Sequence, residues 1–92
     1  EEIIIPYISP VDGKRHRYFP DFYVKIKNRK YLVEVKPFKQ TTEPKTQKRM
    51  TKKYINEVVT WSVNQAKWKA ATEFCNDNNW EFMLITEKEL KI

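Results

Sequence analysis

The spacing of apolar residues changes period along this chain of 92 residues. Ile3 to Ile8 is a run rich in isoleucine that predicts a strand. Pro6 within it predicts an edge position, because proline cannot donate to a central ladder. Asp12-Gly13 predicts a turn. Arg15 to Lys27 reads as one strand bent at Pro20, and Lys30 to Lys36 as the next, joined by a short turn at Asn28-Arg29. Residues 37–50 carry Pro37 and Pro44 and are expected to be loop. From about Thr51 to Asp77 the period is helical, with Ile55, Val58, Val59, Ser62, Ala66, Ala70 and Phe74 on one face. Asn64 could cap a restart midway, so one kinked helix and two helices both fit. Trp80 to Ile85 is a continuous apolar run, as in a buried strand. This order implies an α+β or mixed α/β core. The last connection is a crossover, expected to be right-handed and to place the final strand parallel to its neighbour.

Pairing the two middle strands through Asn28-Arg29 sets Lys27 opposite Lys30. Phe22 then faces Val35, Val24 faces Val33 and Ile26 faces Tyr31, which predicts one apolar, core-facing side. On the other side Asp21 faces Lys36 and Tyr23 faces Glu34. A single register thus gathers Asp21, Glu34 and Lys36 on one face, and a slip by one residue would scatter them. The bland alternative is an ordinary surface ion pair between strands, which contributes little to stability.

Composition narrows the class. The chain has room for one small domain, and 40 % apolar with 14 % aromatic residues suits a folded chain. Cys75 is the single cysteine, which excludes an intrachain disulfide, and its place on the apolar helix face predicts a core residue. No apolar run approaches a membrane span, and no membrane partner is expected. The net charge of +6 is concentrated: residues 25–53 hold eleven Lys/Arg against two Asp/Glu, whereas residues 1–24 hold three against four and residues 54–92 four against six. A basic block next to an acid–lysine cluster points to a polyanion.

The chemistry that fits is phosphodiester hydrolysis, which needs charge neutralised at the phosphate and a water activated. Asp21 and Glu34 suit Mg²⁺ (Mn²⁺ able to substitute), a hard cation that takes oxygen ligands and keeps several waters, with the Val35 carbonyl as a third ligand. Lys36 would position or help deprotonate the attacking water. Other chemistries fare worse. His16 is the only histidine and has no partner at zinc spacing. Gly13 is the only glycine, which rules out a glycine-rich phosphate loop. Lys39, Lys45, Lys48, Arg49, Lys52 and Lys53 are the expected contacts to duplex DNA phosphates. On the helix, Glu57, Trp61, Asn64 and Trp68 form a second stripe, with Asn56, Thr60 and Lys67 beside it. Tryptophans packing at a helix edge explain this stripe better than direct nucleic-acid contact. Asn64 and Lys67 are its members expected to help at the backbone phosphates or the active site.

Pro20-Asp21 followed by Glu34-Val35-Lys36 resembles the PD-(D/E)XK nuclease superfamily. Arg17-Tyr18-Phe19, VEVKP at 33–37, KQTTEP at 39–44, NEVVTWSVNQAKWKAA at 56–71 and LITEKEL at 84–90 are similar to the head completion nucleases of T-even-type tailed phages. The resemblance implies a restriction-endonuclease-like mixed sheet, here in the order βββαβ, without the first helix of the αβββαβ core. It implies an endonuclease with Asp21, Glu34 and Lys36 in the active site, acting on double-stranded DNA beside phage head proteins. The cytoplasm of the infected host cell, or the virion, would be its location. TnsA-type transposon endonucleases share the core and a comparable Trp…Ile-Thr-Glu ending, and a DNA-binding or virion module with an unused nuclease core is a further alternative. The chain begins without methionine, and Thr86-Glu87-Lys88-Glu89 is a capping box opening a helix near its end. Elements are therefore expected beyond both ends, including the helix whose acid such sites commonly add.

Overall fold

Pro20 divides what reads as one strand into two that belong to different sheets. A computed structural model describes residues 3–90. In it β1 (Ile5–Ile8) and β2 (Arg15–Tyr18) form an antiparallel hairpin. Its turn is closed by Ser9 N–H on the Lys14 carbonyl and Gly13 N–H on the Ser9 carbonyl, both at 2.9 Å. Gly13 has φ +67°, a conformation that costs glycine little. After Phe19-Pro20 the chain enters β3 (Phe22–Ile26), which pairs antiparallel with β4 (Arg29–Val35). Proline lacks the N–H a continuous ladder needs, so the break falls there.

The β3–β4 turn corrects the expected register. It is Lys27-Asn28, with Lys27 at φ 55°, and Ile26 faces Arg29. Phe22 pairs with Val33 rather than Val35, and Val24 with Tyr31 rather than Val33. The shift is two residues along β4. Because side chains alternate with a period of two, every residue keeps its expected face.

Helix α1 (Lys52–Asp77) is continuous through Asn64, so no restart occurs there. Thr51 caps it, accepting from Tyr54 N–H on Oγ1 at 3.1 Å. Strand β5 (Glu81–Ile85) then returns parallel to β4, as the crossover predicts, giving the order β3-β4-β5. It is an edge strand and only partly covered. The capping box forms: Thr86 N–H and Oγ1–H both donate to Glu89 Oε1 at 2.8 Å, and Lys88 N–H donates to Thr86 Oγ1, opening α2 (Glu87–Leu90).

The core corrects two more expectations. Its buried members are Ile5, Tyr18, Leu32, Trp68, Ala71 and Cys75, with Tyr7, Phe74, Trp80, Phe82 and Leu84 packed around them. The inward stripe of α1 is therefore Asn64, Trp68, Ala71 and Cys75, while Ile55 and Val59 are exposed. Apolar residues are spread nearly all round this helix, so its periodicity singles out no face. Ala71 and Cys75, being small, suit a close approach to the sheet. In the sheet, α1 covers the side of Leu32 and Glu34. The side expected to face the core is largely open among the described residues: Phe22 is 57 % and Ile26 56 % exposed, and Val35 and Met83 are exposed as well, although Val33 on the central strand is buried.

Candidate active site

Two strand ends and one hairpin strand build the site. Asp21 lies just outside the β3–β4 ladder, and its Oδ2 accepts from Val35 N–H at 3.0 Å. Extending the observed register by one pair sets Asp21 opposite Glu34, where the expected register had set it opposite Lys36. Glu34 lies on β4, the central strand, and faces the interior at 4 % exposed. A carboxylate this deep requires partners. The Tyr18 hydroxyl donates to Oε1 at 2.8 Å, and Lys36 Nζ stands 3.5 Å from Oε2. Lys36 follows the end of β4, where its N–H continues the parallel ladder to the Ile85 carbonyl at 3.0 Å. Its side chain is half-buried on the side of Glu34.

Tyr18 is the site residue that sequence reasoning missed. It comes from β2, sixteen positions before Glu34, so no local spacing links the two. A buried tyrosine must place its hydroxyl on an acceptor, and only the packing of the hairpin on the sheet shows which one. Burial pushes its pKa far up, followed by the bond to Glu34 and the charges of Glu34 and Asp21. The phenol is thus locked as a donor. Lys67 of α1 holds its Nζ 5.8 Å from the Tyr18 ring centre and 5.9 Å from that of Tyr7.

Asp21 and Glu34 offer oxygen donors of the kind a hard divalent cation would take if it kept most of its waters. Asp21 Oδ1 has no partner among the described hydrogen bonds, and Glu34 Oε2 faces Lys36. Among the described residues no group of three or more His, Cys, Asp or Glu side chains forms a fuller cage. His16 bonds Asp12 at 2.9 Å on the exposed hairpin turn, away from these carboxylates in the chain. Cys75 is buried, and burial pushes its thiol pKa up, as suits an inert core residue.

The chain leaves the site at Pro37 and makes a single 3₁₀ turn, Phe38–Thr41. Phe38 N–H donates to Glu87 Oε1 at 2.7 Å, which holds the Glu87 carboxyl below its usual range. Lys88 stacks 3.7 Å over the Phe38 ring, so α2 fastens the loop where it departs. Beyond it the loop and the first half of α1 enclose a groove of about 960 Å³. Lys39, Lys45, Lys52 and Lys53 line it against two acids, Glu43 and Glu57, with Asn56, Thr60 and Trp61. Lys48 and Arg49 are exposed on the same loop but outside the groove lining. Asn64 and Lys67 lie elsewhere. Asn64 is 7 % exposed on the inward stripe, and Lys67 is taken up by two aromatic rings. Neither lines the groove, and Lys67, half-exposed, stands beside Tyr18 of the site. The Nε1 atoms of Trp61 and Trp68 are buried without a hydrogen-bond partner among the described residues.

Over residues 1–87 the chain matches the family model described as TnsA-like endonuclease N terminal. It is 36 % identical over 96 residues to the head completion nuclease of Enterobacteria phage T4, an alignment covering 99 % of this chain. The chain spans 64 % of that relative's length. No solved structure matches it. With a family model matched over nearly the whole length, the chain belongs to the TnsA-like endonuclease N-terminal family.

Proposed function

We propose that this chain is the catalytic core of a Mg²⁺-dependent DNA endonuclease of the phage head completion kind. The observation that carries this reading is the convergence on one buried carboxylate. Glu34 is held by Tyr18 and Lys36, and Asp21 extends the same strand pair. Asp21, Glu34 and the Val35 carbonyl would hold the ion, with Mn²⁺ able to substitute. When bound, it supplies charge neutralisation at the scissile phosphate and a more acidic water. Lys36, at the partly open rim, is the residue that meets the phosphate or orients the attacking water. The low-dielectric floor beneath Glu34 strengthens each of these interactions.

Duplex DNA is the substrate that suits the groove. Lys39, Lys45, Lys52 and Lys53 face it, and Lys48 and Arg49 stand beside it for phosphate contacts. The relative's name ties it to phage heads, so head proteins are the partners that go with this reading. The cytoplasm of an infected cell, or the virion, is the corresponding location. No helix among the described residues is long and apolar enough to cross a membrane. The family-model description favours a second reading, a transposon-type endonuclease acting through the same three residues.

Plasmid nicking by the purified protein in Mg²⁺ or Mn²⁺ tests the site. Asp21→Asn, Glu34→Gln and Lys36→Ala should each lower the rate by about 100-fold or more, the scale seen when one transition-state contact is removed. Duplex binding in chelator should persist. Equal rates in all four proteins would overturn the site, and an inactive wild type that still binds duplex would leave a non-catalytic DNA-binding module. The groove has its own test. If the six loop and helix cations all contact phosphates, log K should fall against log salt with a slope of about −5. A flat dependence would remove the groove from the reading.

A further inference from the structure

Tyr18 carries more than packing. Its ring belongs to the core with Ile5, Leu32 and Trp68, a role that phenylalanine would fill as well. The hydroxyl is the additional feature, and it donates to Glu34 Oε1 at 2.8 Å. The Lys36 contact to the other oxygen is longer, at 3.5 Å, and Lys36 is partly solvated. The phenol is therefore the short, dry bond that sets the rotation of the carboxylate. Lys67 lies over the ring. A cation there draws electron density from the ring, strengthens the hydroxyl as a donor and offsets part of the charge buried beneath it.

We propose that Tyr18, braced by Lys67, is a positioning residue that engages Oε1 of Glu34 and thereby fixes Oε2 at the Lys36 side, where it would take a divalent cation. The inference rests on the nuclease reading for its function but stands on the hairpin–sheet contact for its geometry. The β1–β2 hairpin thereby acquires a role at the site. Strand β2 carries the donor across to the central strand, and Tyr7 of β1 supplies the second ring under Lys67. The absence of Lys67 from the groove follows as well. Its ammonium acts through Tyr18 rather than at a phosphate.

Tyr18→Phe removes the hydroxyl and keeps the ring. Calorimetric titration of Mn²⁺ into DNA-free protein should show binding weakened about 10- to 100-fold, the usual effect of losing an outer partner of a metal ligand. The Mn²⁺ concentration for half-maximal nicking should rise by a similar factor, with duplex affinity in chelator unchanged. Lys67→Met, which leaves the hydroxyl in place, should move both readouts in the same direction by a smaller factor. A Tyr18→Phe protein with a shifted melting temperature but wild-type Mn²⁺ affinity would overturn the positioning role. Wild-type protein that binds Mn²⁺ through Glu34 but never nicks DNA would sink the nuclease reading and leave Tyr18 to be judged by the titration. No Glu34-dependent Mn²⁺ binding at all would end both.

Discussion

The two faces of the β3–β4–β5 sheet are built against expectation. The face under α1 carries Leu32, Phe82 and Leu84, but also a carboxylate, Glu34. The outer face carries Phe22, Val24, Ile26, Tyr31, Val33, Val35, Met83 and Ile85, and several of these are open to solvent. Apolar content does not decide which side is inside. The helix decides, by presenting Trp68, Ala71 and Cys75 to Leu32 and its neighbours. A buried acid lowers stability unless it is fully partnered, and here its partners are the groups its chemistry would use. Rules of core composition are commonly broken at functional sites, and the covered face follows that pattern. The outer face is the reverse case: Val33 on the central strand is buried, but Phe22, Ile26, Val35 and Met83 around it have little over them among the described residues.

The largest expected difference between the faces is in stability. Leu32 is fully buried, so Leu32→Ala should lower the unfolding free energy by about 2–5 kcal/mol in urea titrations. Phe22→Ala, on a side chain more than half exposed, should change it by about 0.5 kcal/mol or less. Comparable losses at the two positions would break the distinction, because they would mean that the outer face is covered in solution. Reduced self-association of the Phe22 variant, seen by sedimentation, would sharpen it, since contiguous exposed apolar surface promotes contact between molecules.

Local signals were legible where they acted alone. The span of the long helix and the Thr86–Glu89 box follow from residues near in sequence, and the parallel return of β5 from the crossover that the helix makes. The grouping of Asp21, Glu34 and Lys36 was also legible, and it survived a wrong turn assignment because the register error was an even number of residues. Their roles rest on the proposed chemistry. Three features were hidden for physical reasons. The exchange of sheets at Pro20 depends on where the hairpin packs, not on the proline alone. The inward stripe of α1 could not be read from a helix with apolar residues on every side. Tyr18 reaches Glu34 through tertiary packing, which no spacing within a strand or helix encodes.

The smallest expected effect comes from the ion pairs on the two faces. Glu34–Lys36 lies on the covered face, at 3.5 Å and with the carboxylate buried. Arg29–Glu81 lies on the outer face, at 3.8 Å between two exposed side chains. Water screens the second pair, and ordering two long side chains offsets most of its attraction. Arg29→Ala should therefore cost about 0.5 kcal/mol or less, and what it costs should vanish in added salt. Glu34 differs in kind, because removing Lys36 leaves a charge in the interior with Tyr18 as its remaining partner. Urea titrations of Arg29→Ala and Lys36→Ala at low and high salt separate the two cases. A salt-insensitive loss at Arg29 as large as that at Lys36 would show that the outer pair is also shielded from water, and the contrast between the faces would fail.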